Sequence, residues 1–172
     1  MLVAVTSQCL SLQIKLIPHI REKLKESLTE KQMPLLNEMN TVLQDYKDHR
    51  QQIFDKFVAL MRERADQFFK NFKIDVNAPK PSNNFAELVK KTLVLHKVLY
   101  PILPLEQVQS VFKGVVHAYY ERIKKTAEAQ TLDTNQKKRL AGDIQYLLDY
   151  IKGLEGIADP GEELVAFIKT LQ

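Results

Sequence analysis

The chain has 172 residues, 45% of them hydrophobic, with 25 basic against 21 acidic side chains and a net charge of +4. That length suits one domain, and five glycines with no tryptophan favour long helices over a turn-rich β fold. No stretch of about 20 residues is free of charge, which excludes a bilayer-spanning helix. The first 17 residues also lack the basic start and small-residue cleavage site of a signal peptide.

The single cysteine, Cys9, has no partner for an internal disulfide, which fits a reducing, cytosolic setting. Among Leu10, Leu12 and Ile14 it reads as a small buried hydrophobe. Charge is unevenly spread. Residues 141–172 hold two lysines against six acids, so they carry −4 and the remainder carries +8.

In chain order, a first helix is expected from Thr6 or Ser7, with Leu10, Ile14, Ile17, Leu24 and Leu28 on its apolar face. Pro18 removes a backbone donor and crowds the carbonyl of Ile14, so a kink or break is expected there. A helical pattern already running just after Met1 suggests a piece of a longer protein. Thr29 to Gln32 has the form of a capping box that opens a second helix. From Pro34 to Phe72 there is no glycine and no further proline, and Leu36, Met39, Leu43, Tyr46, Ile53, Phe57, Leu60, Phe68 and Phe72 step by threes and fours. A continuous helix of roughly 40 residues, about 60 Å long, follows, and its length suggests a rod.

Lys73 to Asn84 reads as a linker with Pro79 and Pro81, and Asp75-Val76 as a short extended piece. Ser82 or Asn83 caps a third helix that runs through Leu88, Leu95 and Leu99 to Tyr100. After a corner at Pro101 and Pro104, with Pro104 in its first turn, a fourth helix aligns Val108, Val111, Phe112, Val115, Tyr119 and Ile123. Asp133 and Gln136 form a second capping box for a fifth helix with Leu140, Ile144, Leu147, Leu148 and Ile151, ending near Gly153–Gly156. Asp159, Pro160 and Glu162 open a last short helix with Leu164, Val165, Ile168 and Leu171 on its apolar face. Asp66–Lys70, Glu87–Lys91 and Glu121–Lys125 are acid-to-base pairs four apart. The expected fold is all-α, an elongated bundle of about five to six antiparallel helices around one very long helix, spanning residues 1–172 as a single domain.

Chemistry is sparse. His19, His49, His96 and His117 show no HExxH or ExxH spacing, and no GxxxxGK[ST], GxGxxG or GxSxG occurs. Asp45 and His49 share a helix face, as two metal ligands would, but a solvated face explains the same spacing. No catalytic, cofactor-binding or metal site is assigned, and enzyme activity is not expected. Two basic stretches stand out: Lys90, Lys91 and Lys97, and a second through Arg122, Lys124, Lys125, Lys137, Lys138 and Arg139. The first is the candidate contact for a partner or a lipid surface, although lysines also serve simply to keep helix faces wet. Nucleic acid would require denser charge and a recognisable module. The doublets Phe68-Phe69 and Tyr119-Tyr120 each span two faces, one suited to the core and one to its edge.

Several runs in order carry a resemblance: Ile17-Pro18-His19-Ile20-Arg21, Asp45-Tyr46-Lys47-Asp48-His49, Pro81-Ser82, and Leu95-His96-Lys97 through Leu103-Pro104-Leu105-Glu106-Gln107. Together they are similar to the C-terminal domain of the vacuolar protein sorting-associated protein fifty-four family, the Golgi-specific subunit of the Golgi-associated retrograde protein (GARP) complex. The similarity runs from Cys9 to Lys125, departs most over Ala127 to Gly142, and resumes at Lys152-Gly153-Leu154. The resemblance implies a helical-rod subunit of a vesicle-tethering complex that captures endosome-derived carriers at the trans-Golgi network, without a cofactor. Implied partners are the other GARP subunits, the carrier or its proteins, and a peripheral membrane contact on the cytosolic face of the trans-Golgi network and endosomes. The implied position is a C-terminal fragment of a larger subunit. The alternative reading is a helical module that binds anionic lipid directly.

Overall fold

The computed structural model describes residues 2–158 and 161–172. Its elements are α1 (Leu2–Ser11), a π-helical turn (Leu12–Leu16), α2 (Ile17–Ser27), a 3-10 turn (Glu30–Gln32), α3 (Leu35–Phe69), α4 (Asn83–Leu99), α5 (Leu105–Glu128), α6 (Thr134–Lys152) and α7 (Glu162–Leu171). No strand occurs among the described residues, as the composition leads one to expect. Packing divides the chain into two compact units, residues 1–56 and 57–172.

In the first unit Pro18 does not break the helix. It sits at the start of α2, and the turn before it widens, so that the Ile17 N–H donates to the Leu12 carbonyl five residues back. A proline cannot supply the donor that an α-helix needs there, and a π turn absorbs the mismatch with one extra residue. The extra residue also changes the phase of the apolar face. Thr6, Cys9 and Ile17 are buried, whereas Ile14 and Leu24, expected inside, are exposed. Thr6 is therefore a buried residue inside α1 rather than its cap. The Arg50 guanidinium on α3 donates to Gln13 in the π turn at 2.7 Å, and Leu36, Ile53 and Phe54 of α3 are buried.

The Thr29 box forms, with the Gln32 side chain accepting from the Thr29 N–H at 3.1 Å and from its hydroxyl at 2.8 Å. It closes the 3-10 turn; the long helix starts after Pro34 and runs 35 residues to Phe69, somewhat shorter than expected.

In the second unit the inward row of α3 is Phe57, Met61, Ala65 and Phe69. Leu60, expected inside, points outward. Phe69, Phe72 and Phe85 meet edge to face with centroids 5.1 to 6.0 Å apart, which joins the end of α3 to the start of α4. All six apolar positions expected on α5 and all five on α6 are buried. The Thr92 hydroxyl on α4 meets the buried Tyr119 hydroxyl on α5 at 2.9 Å and donates to the Leu88 carbonyl, so neither polar group is left unpaired in this core.

The connections follow local chemistry. Asp75-Val76 is a turn and not an extended piece, because the Asp75 carboxylate accepts from the Asn77 N–H at 2.9 Å. Pro104 takes the N-cap position of α5 rather than its first turn. Asp133 caps α6 as expected, accepting from the Asn135 and Gln136 N–H groups at 2.7 and 2.8 Å. Gly156 has φ of +82°, and a Cβ there would come within 2.7 Å of Leu105, so only glycine fits this corner. The expected cap at Asp159-Pro160 lies outside the described residues. Helix α7 begins at Glu162 and buries Leu164, Ile168 and Leu171.

Candidate functional site

Helix α4 buries Phe85, Leu88, Val89, Thr92, Leu95, His96 and Leu99, which turns positions 90, 91, 94, 97 and 98 outward. Lys90, Lys91 and Lys97 are therefore all exposed on one face. At the centre of that face are two apolar side chains that the sequence reading did not single out, Val94 and Val98, which are 59% and 44% exposed. Helical spacing puts Lys90 and Lys97 on one flank of the valines and Lys91 on the other. The Lys90 ammonium pairs with Glu87 one turn back, in place of the expected Glu87–Lys91 pair. That hydrogen bond, with the charge of both lysines, holds the Glu87 carboxyl below the usual carboxylate range. The face is convex and mixed: apolar in the middle, cationic at its edges. On the inner side of the same helix, His96 is fixed by the Glu155 carbonyl at 2.8 Å and stacks on Tyr100, so it serves packing.

The second basic stretch does not converge. Arg122 lies 3.4 Å from Asp66, and Lys124 sits over the Tyr120 ring at 5.6 Å. Arg139 is buried. Its guanidinium donates to Asp143 at 3.1 Å, to the Ser82 hydroxyl at 3.0 Å, and to the Ala78 and Pro79 carbonyls. Asp143 in turn accepts from the Ser82 N–H and hydroxyl. This knot replaces a side-chain cap on α4 and bolts the segment before α4 onto α6. It is a structural device with its donors committed, not a ligand site. Asp45, Asp48 and His49 are exposed, and Asp48 accepts from Gln44 at 2.6 Å. The doublets divide as expected: Phe69 and Tyr119 are buried, while Phe68 and Tyr120 are partly exposed.

Beside the knot a cleft of about 660 Å³ opens between the segment at Lys80-Pro81 and α6. Gly142 lines it at the middle of α6, and a Cβ built there meets nothing within 4 Å. A glycine inside a helix costs about 0.5–1 kcal/mol relative to alanine. No packing contact at Gly142 requires that cost.

A family model described as "Vps54-like protein" matches residues 2–64. The human protein named vacuolar protein sorting-associated protein 54 is 29% identical over 159 residues, covering 91% of this chain. The Arabidopsis thaliana protein named vacuolar protein sorting-associated protein 54, chloroplastic, is 29% identical over 161 residues, or 88% of this chain. The chain spans only 16% of the length of either relative. Among solved structures, one titled "C-terminal domain of Vps54 subunit of the GARP complex" superposes with a TM-score of 0.66 at 24% identity, covering 74% of this chain and 97% of that one. A second, titled "Vps54 C-terminal domain", gives 0.67 and covers 79% of this chain and 97% of that one. The chain is thus Vps54-like in sequence and has the fold of the Vps54 C-terminal domain.

Proposed function

We propose that the chain is a vesicle-tethering domain that acts in retrograde transport from endosomes to the trans-Golgi network, working by contact rather than catalysis. The observation that carries this reading is the similarity to vacuolar protein sorting-associated protein 54 along nine-tenths of the chain, joined to the fold of a domain from a GARP subunit. On this reading residues 1–172 act as one functional domain of a longer subunit. Other GARP subunits and the proteins or membrane of an endosome-derived carrier are its partners, met on the cytosolic face of the trans-Golgi network and endosomes. None of the helices described is long and apolar enough to cross a membrane, which suits a peripheral contact. The test is flotation of the purified chain with endosome-enriched and endoplasmic-reticulum membranes. Selective flotation with the endosomal fraction is expected; equal or no association with both sinks the proposal.

A second reading, direct attachment to anionic lipid, is favoured by one observation: Val94 and Val98 stand exposed between Lys90, Lys91 and Lys97. A convex face of this kind suits a flat, negatively charged surface, with the valines entering the headgroup boundary and the lysines above it. Binding to phosphatidylserine vesicles that is lost at high salt, and lost when all three lysines become glutamate, supports it. Salt-insensitive recruitment counts against it.

A further inference from the structure

The cleft beside the Arg139–Asp143 knot is different in kind from the face of α4. It is concave, and it lies where the segment Phe72–Ser82 crosses α6. A second recess of about 500 Å³ adjoins it, lined by Phe72, Lys73 and Pro79, and the two share Pro81 and Tyr146 as a common ridge. The apolar surface is open to solvent: Val76 is 43% exposed, and Tyr150, whose ring lies 4.8 Å from that of Tyr146, is 46% exposed. Lys73, Lys80 and Lys138 are exposed on the lining, and none of the three is in an ion pair within the described residues. The acids on the same lining are Asp75, turned toward its own loop, and Asp143, already held by Arg139. The surroundings are therefore cationic and the walls apolar and aromatic.

Gly142 adds an independent observation. It lies on the cleft wall, it weakens α6 where it stands, and nothing packs against it to demand a missing side chain.

We infer that this double cleft is a docking site for an extended acidic peptide segment with apolar side chains at alternate positions. In an extended chain, residues two apart point the same way and stand about 7 Å apart. Two such side chains can enter the recesses on either side of the Pro81–Tyr146 ridge while the intervening acids meet Lys80 and Lys138. Tyrosine is enriched where protein partners dock, and Tyr146 stands between the two recesses. A membrane surface is too flat to enter either recess. This inference does not depend on the tethering function, since it rests on the cleft alone.

The test is fluorescence anisotropy of the intact 172-residue chain with a fluorescein-labelled peptide Asp-Glu-Leu-Asp-Phe-Glu, in solution without membranes. Saturable binding is expected, weakened about tenfold or more when the peptide acids are replaced by lysine. Gly142→Phe fills the cleft from an open position and is expected to abolish binding while the helical circular dichroism is unchanged. Lys80→Glu with Lys138→Glu, both exposed, is expected to weaken binding about tenfold without touching the core. No saturable binding up to about 1 mM peptide, or binding indifferent to both variants, overturns the inference. Displacement of the peptide by inositol hexakisphosphate as effectively as by unlabelled peptide overturns it in favour of a simple anion site. Binding of phosphatidylserine vesicles that both variants abolish overturns it in favour of lipid.

Discussion

Asp143 on α6 holds Ser82, 61 residues earlier in the chain, by two hydrogen bonds: one from the backbone N–H at 2.9 Å and one from the hydroxyl. Arg139 completes the set and leaves both charges almost fully buried. Removing one member strands the other charge in the interior. Asp143→Ala is expected to lower stability by about 3 kcal/mol or more in urea unfolding. Replacing both Arg139 and Asp143 by apolar residues of similar size is expected to cost less than Asp143→Ala alone. An additive double variant refutes the coupling.

Tyr119 gives the unit a pH dependence. Burial among apolar side chains pushes its phenol up from the usual range and outweighs the contact with the Thr92 hydroxyl. The unfolded phenol ionises near pH 10 while the folded one does not, so the folded state binds more protons above that pH. Its contribution is complete below about pH 10 and is lost as the pH rises further, at about 1.4 kcal/mol per unit. Unfolding measured between pH 9 and 11 is expected to fall more steeply for the native chain than for Tyr119→Phe. Parallel profiles refute this.

Two glycines inside helices predict opposite signs. At Gly114 an added Cβ comes 2.9 Å from the Val58 side chain, and that branched residue has little freedom to retreat. Gly114→Ala is expected to destabilise by about 1 kcal/mol, and Val58→Ala in the same chain to relieve most of that strain. Gly142→Ala enters open space and is expected to stabilise by about 0.5–1 kcal/mol. Thermal unfolding of the three variants beside the unchanged chain settles both.

Hydrogen exchange should separate the units. Between Ala4 and Ser27 only Thr6, Cys9 and Ile17 are buried, whereas α5 and α6 bury whole faces. Amides of α1 and α2 are expected to exchange at least about tenfold faster than those in the middle of α5 and α6. Equal protection would show a single cooperative block instead.

What the sequence made legible follows from physical type. On α5 and α6 the large apolar residues recur on one face at helical spacing, so their buried apolar positions could be read directly. The phase of α1 and α2 could not, because it hinges on where the donor lost at Pro18 is absorbed. On α3 the inward row passes through Met61 and small Ala65, and a search for large residues finds Leu60 and Phe68 instead. The exposure of Lys90, Lys91 and Lys97 was legible from helical spacing. The Arg139–Asp143 knot was not: four residues apart it reads as a surface pair, and its decisive partner Ser82 is remote in sequence. Gly142 likewise looks like an ordinary weak point until the empty space beside it is seen.

The π turn at Leu12–Leu16 also bears on how this chain compares with its relatives. One residue more than an α-helix requires is stored there, so a relative whose helix runs regularly through the same region would carry one residue fewer. An alignment without that single gap would pair Thr6 and Cys9 with residues about 100° around the helix, setting core positions against surface ones over the whole of α1.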